Sequence, residues 1–246
     1  MKTSSSTKAF TRIEAVAILA TLGLLACLAL PGLANNPARS HRAVCVNNLR
    51  QIGQAFQTWA TDHGERNPWW VPARMLSTGS YDPNAGTRGH PFDSQLWFQI
   101  AWISNQLATP KVLACPSDAS VFAARDWSES SSSGFLHPAR RNDAVSYFLS
   151  LHAFSDYPQS LLAGDRNFRV DVLGGTCSSG VRNPATIVAP AKGWTAAIHA
   201  YTGHLLLSSG EVLQTSTAGA QAAVTNALPP LSESAIHALY PRPPYL

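Results

Sequence analysis

The residues that could do chemistry in this chain are few and widely spaced. His199 and His204 could serve as metal ligands, since a neutral imidazole nitrogen binds zinc and related ions, but they flank an Ala-Tyr-Thr-Gly turn with no pair of acids close in sequence. Asp165 with His152 or His199 and one of many serines would make a nucleophilic triad, a combination that any chain of this size can offer on paper. Asp118 and Asp165 are the turn-borne acids suited to calcium, and they fall short of the about six to eight oxygens which that ion takes. Four cysteines are present. Cys27 lies in an apolar run and behaves as a small apolar residue, whereas Cys45, Cys115 and Cys177 allow one bridge and one remaining thiol, with all three pairings open. No CxxC, zinc spacing, phosphate loop, GxGxxG, HExxH or GxSxG occurs. The expectation is a protein that is not an enzyme and carries no cofactor or metal.

The elements that must position these residues are bounded by composition. With 246 residues, 45% hydrophobic and 13% charged, the chain is long and apolar enough to bury a core in one or two domains, and is neither disordered nor fibrous. Its formal charge of +4 comes from 18 basic and 14 acidic residues. Lys2, Lys8 and Arg12 against Glu14 account for part of that excess and the rest is nearly balanced, so no nucleic-acid partner is predicted.

Residues Ala15 to Leu30 read AVAILATLGLLACLAL, and with Pro31-Gly-Leu-Ala34 the run is just long enough, at about 1.5 Å per residue, to span a hydrocarbon core of roughly 30 Å. Lys2, Lys8 and Arg12 before it favour a cytoplasmic amino terminus. The run can also be read as a secretory signal cut after Gly32-Leu33-Ala34, which would release a secreted globular protein such as a binding module or hydrolase. Leu24-Leu25-Ala26-Cys27 resembles a lipoprotein box poorly, because Leu28 to Leu30 continue the apolar run.

A third reading rests on Ala9-Phe10-Thr11-Arg12-Ile13-Glu14. This segment resembles the processing site of type IV prepilins and type II secretion pseudopilins, whose usual form is Gly-Phe-Thr-Leu-Ile-Glu; Ala9 and Arg12 depart from it. The resemblance implies a leader at 1–9 removed by prepilin peptidase between Ala9 and Phe10, N-methylation of Phe10, a transmembrane and assembly helix at 10–34 kinked at Pro31, an amphipathic half at 35–63, and a globular head at 64–246. The implied fold is α+β and pilin-like, a long N-terminal spine helix packed on a small antiparallel sheet. Glu14 has its own chemistry: a carboxylate in apolar surroundings seeks a cation, and the freed amine of Phe10 on a neighbouring copy would meet it and set the register between subunits. Alternatively Glu14 simply stabilises the start of its helix.

Downstream, Cys45, Leu49, Ile52, Phe56, Trp59 and His63 recur at alternating steps of four and three, one face of a helix that starts at Asn36-Pro37 and ends at Gly64. Cys45-Val-Asn-Asn-Leu-Arg-Gln-Ile-Gly53, Cys115-Pro-Ser-Asp118, Gly164-Asp-Arg-Asn167, and His199 with Ser209-Gly210 resemble motifs of a bacterial branch of prepilin-type proteins, in which an Asp usually stands where Ser209 does. A helix is expected over Gln95 to Leu107, strands over 145–151, 194–199, 205–208 and 211–215, a short apolar run over 160–163, and short helices with an extended end over 218–246. The functional expectation is a structural subunit of a type II secretion pseudopilus or type IV pilus-like filament. Its partners would be prepilin peptidase, other pilin-like subunits and inner-membrane lipid, in a single pass through the bacterial inner membrane with the head in the periplasm or on the filament.

Overall fold

The computed structural model describes residues 11–33, 37–173, 177–182, 184–189, 191–228 and 235–241. The processing pair Ala9 and Phe10, and the cap Asn36, lie outside them. The chain forms two units, residues 1–40 and 41–246. Helix α1 spans Arg12–Leu33 and helix α2 spans Pro37–Thr61.

These helices correct the expected architecture. Among the described residues no helix is long and apolar enough to cross a membrane. Arg12 and Glu14 stand inside α1, so its first turn is charged. The expected single-pass inner-membrane placement, with a transmembrane helix at 10–34 and a periplasmic head, is therefore corrected for the described residues: α1 is not such a helix. The expected long spine helix, half membrane and half amphipathic, is corrected with it, since no long apolar N-terminal helix stands among the described residues. The fold is α+β, and its sheet is larger than the small one expected.

Among the described residues the sheet has seven strands: β1 Tyr147–Ser150, β2 Leu161–Asp165, β3 Val172–Leu173, β4 Ala185–Val188, β5 Thr202–Leu207, β6 Val212–Ser216 and β7 Ala235–Leu239. Their spatial order is β3-β4-β7-β1-β2-β5-β6, and every neighbouring pair is antiparallel. Successive side chains on a strand point to opposite faces, and here both faces are covered. Tyr147, Leu149, Leu162, Leu206 and Leu239 join the core that includes Cys45, Leu49, Ile52, Phe56 and Trp59 of α2. Phe148, Leu161, Leu205, Leu207 and Ile236 face a second core, closed by Ala220, Val224 and Ala227 of helix α5, Thr217–Ala227. The heptad-like face read from the sequence is thus the face that packs. Gly53 lets α2 approach the sheet closely, since a Cβ there would stand 3.2 Å from the Leu206 methyls.

Several local expectations change. Gln95 to Leu107 divides into α3, Leu96–Trp102, and α4, Ser104–Leu107, because Ile103 leaves helical geometry at φ −99° and ψ 17°. Gly164 and Asp165 continue β2 instead of turning, and where a strand was expected over Trp194 to His199, Trp194 makes an isolated bridge to Phe168 and residues 196–199 form a turn. The segment read as an extended end supplies β7, which lies inside the sheet between β4 and β1.

Candidate functional site

At the amino-terminal motif, Glu14 Oε2 accepts from the Thr11 backbone N–H at 2.8 Å, and Thr11 Oγ1 accepts from the Glu14 N–H at 3.3 Å. This is the reciprocal capping box of a Thr-x-x-Glu sequence, and it satisfies two of the donors that a helix start leaves over. The backbone bond from Thr11, then its hydroxyl, hold the Glu14 carboxyl below its ordinary pKa, so the group is an exposed carboxylate. Pro31 lies within the bounds of α1.

The motifs in the remainder of the chain converge. Cys45 of α2 and Cys115 are joined by a disulfide across 70 residues of sequence, which selects one of the three open pairings; Cys177 is buried outside that bridge. Cys115 Sγ lies 3.5 Å from His199 Nε2, and His199 Nε2 lies 3.6 Å from Asp165 Oδ2. The same Asp165 oxygen accepts from the His204 backbone N–H at 2.8 Å and contacts His204 Nδ1 at 2.9 Å. Next to it, Asp118 takes Arg166 through two bonds, Nε to Oδ2 at 2.6 Å and Nη2 to Oδ1 at 2.7 Å, and accepts from Ser120 Oγ. Ser146 Oγ accepts the Cys115 N–H, and Asn48 of α2 donates to Ala114 O and contacts Tyr147 Oη. Asn167 Nδ2 donates to Thr195 O and Thr202 O, which closes the segment that carries His199.

Local backbone geometry places these groups. β2 delivers Asp165 into the interior where a turn would have left it outside. Gly164 is required there, because a Cβ would come within 2.9 Å of Phe148 and His204 O. Between His199 and β5, Ala200 and Tyr201 take φ of 51° and 61°, a left-handed pair usual for glycine, and Thr202 Oγ1 holds the His199 carbonyl at 2.6 Å. At the other end of β5, Gly210 turns with φ 86°, and Ser209 Oγ accepts the Glu211 N–H. Ser209 thereby makes the local bond that an Asp side chain makes in such turns.

The electrostatics follow from burial. Desolvation opposes ionisation of Asp118, and the Arg166 fork with Ser120 overcomes it, leaving the carboxyl below its ordinary pKa. Burial pushes His199 down as well; Asp165 acts against this, and His204 and Arg42 with it. Tyr147 is raised well above its usual value by burial and then by Asp165. For His199 the unfolded chain takes up its proton at a higher pH than the folded chain does. The contribution is complete above the unfolded pKa of 6.5 and is lost as pH falls below it. Thermal midpoints between pH 8 and pH 5 should fall on the acid side for the parent, and His199→Gln should show a shallower decline; equal slopes would refute this.

Asp165, His204 and His199 are 0%, 1% and 3% exposed, so no catalytic atom here meets a solvent-borne substrate. The triad drawn from sequence is not assembled either: His199 turns one nitrogen, Nε2, to both Asp165 and Cys115 Sγ, and His152 sits in a different cluster. Asp118 and Asp165 do not share a cation site, because Asp118 is engaged by Arg166. What the arrangement does is tie α2, residues 111–118, β2 and β5 together at one point. Sequence reasoning flagged Cys45, Cys115, Asp118, Asp165 and His199 individually; it missed Ser146 and Arg166, and the only signal for Arg166 was its place beside Asp165. A cleft of about 480 Å³ bounded by Glu65, Arg66, Trp70, Arg88, Phe154 and Asp156 lies elsewhere in this unit. His152, Cys177 and His237 bring three ligand atoms within 4.8 Å of one another.

No family model, curated protein or solved structure gives a significant match to this chain.

Proposed function

We propose that this chain is a structural subunit of the pseudopilin kind, cut before Phe10 by prepilin peptidase and joined to other such subunits through α1 in a pseudopilus or pilus-like filament. The observation that carries this reading is the surface of α1. Ile13, Val16, Leu19, Leu22, Leu24 and Leu25 are all exposed, Ile13 by 82% and Leu19 by 69%, and at 100° per residue they surround the helix. A helix that is apolar on every side is stable in water only when something covers it. Matching helices of neighbouring copies are the covering that the capping box is suited to register, because it fixes the exposed Glu14 carboxylate beside the start of the helix, where an adjoining amine would arrive. The buried knot then serves as the clasp of a durable head and has no catalytic part.

Mass spectrometry of the native protein tests this directly. A mature chain that begins at methylated Phe10, together with crosslinked oligomers that Glu14→Ala reduces several-fold, is the expected result. A chain beginning at Asn35 would lack α1 and overturn it, and would favour a secreted globular protein.

A further inference from the structure

We propose that His152, Cys177 and His237 form a binding site for a borderline-soft divalent ion, zinc above all. The three side chains come from separate places: His152 follows β1, His237 stands in β7, and Cys177 opens a tight turn closed by Gly180 N to Cys177 O at 2.8 Å and Cys177 N to Val181 O at 2.9 Å. His152 Nε2 lies 3.2 Å from Cys177 Sγ and 3.3 Å from His237 Nδ1. Tetrahedral zinc, with Zn–N of about 2.0–2.1 Å and Zn–S of about 2.3 Å, sets its ligand nitrogens about 3.3–3.4 Å apart and a nitrogen and sulfur about 3.5–3.6 Å apart. The nitrogen pair has that spacing and the sulfur is a few tenths of an ångström closer.

Sγ, Nδ1 of His237 and Ser178 Oγ, at 3.5 Å, all approach one ring nitrogen, His152 Nε2. With all three ligand atoms within 4.8 Å of one another, a single ion would be held by both nitrogens and the sulfur together. The two imidazoles meet at 73°, edges inward, as ligands do, and Phe154 flanks the His152 ring. Histidine and thiolate are the donors zinc prefers. Ser178 is exposed, and its Oγ, 4.0 Å from Sγ and 3.5 Å from His152 Nε2, stands where a fourth ligand would be supplied. The other two groups of ligand-type side chains differ. In one, Cys45 and Cys115 are bonded to each other; in the other, two His204 nitrogens already occupy the Asp165 oxygen.

The test uses the full chain in a Cys27→Ala background without reductant, so that Cys45 and Cys115 stay bonded and Cys177 supplies the thiolate. After chelator treatment, zinc should bind at one equivalent and raise the thermal midpoint. Cobalt should bind in its place with a thiolate-to-cobalt charge-transfer band and the visible bands of a tetrahedral ion. His237→Gln, a partly buried position that folding tolerates better than the other two, should weaken zinc binding by well over about tenfold, since even groups that merely orient a ligand account for roughly 10–100-fold. Cys177→Ser should remove the cobalt charge-transfer band, with circular dichroism reporting its fold. Absence of zinc binding, a cobalt complex without the thiolate band in the parent, or affinity unchanged in folded His237→Gln would each overturn the proposal.

Discussion

Asp118→Ala should lower the free energy of unfolding by about 3–5 kcal/mol, because it leaves the Arg166 guanidinium charged in the interior without its carboxylate. Both side chains are nearly inaccessible, 2% for Asp118 and 5% for Arg166, so solvent does not screen the loss as it would for a surface pair. Removing both charges should hurt less than removing one: Asp118→Ala with Arg166→Met discards two desolvation costs together with the attraction, and its urea midpoint should lie above that of Asp118→Ala alone. Two independent, additive losses would show that the pair is not coupled. The pH dependence has the same origin. Because the folded carboxyl titrates below its ordinary 3.8, its contribution is present above that pH and is lost as pH falls through the folded value. Asp118→Ala should therefore lie closest to the parent in strong acid.

Reduction of the Cys45–Cys115 bond should have the second large effect. It closes a loop with a sequence separation of 70, worth about 4 kcal/mol if the bond acts by restricting the unfolded chain. For a domain of this size each kcal/mol moves the midpoint by about 2–4 °C, so a strong reductant should lower it by roughly 10 °C. Cys45→Ala with Cys115→Ala should reproduce the shift and become insensitive to reductant. A midpoint that ignores both treatments would mean that the bond contributes nothing to stability.

How much of this was legible in the sequence depends on which physical signal each element carries. The face of α2 was readable because Cys45, Leu49, Ile52, Phe56 and Trp59 repeat with helical period, and those residues are buried. β5 and β6 were marked by their Ser209-Gly210 turn. β2 and β7 were not, because strands buried on both faces lose the alternation that announces a strand, and Ala235–Leu239 reads as an undistinguished apolar run. The apolar stretch after Glu14 was overread as a membrane span, since composition does not say where a helix starts, and α1 begins at the charged Arg12.

At the site, individual residues were visible and their meeting was not. Cys45, Cys115, Asp118, Asp165 and His199 could each be named, but no spacing rule brings positions 45, 115, 165 and 199 to one point. The sheet order does so, and it depends on long-range pairings that leave no local trace. His237 shows the same limit: nothing in the run from Ala235 to Leu239 announces a ligand, and its partner His152 lies 85 residues away.

The position of β7 has a consequence for how the chain is made. Among the described residues, the pair β3-β4 and the group β1-β2-β5-β6 meet in the sheet only through this strand, which follows the other six in the chain. Until residue 239 emerges, the nascent polypeptide carries two sheet fragments whose bare edges, at Ala185–Val188 and Tyr147–Ser150, invite a neighbour's strand. Translation that stalls shortly before this point would release a sticky intermediate, so closure of the seam waits on this strand.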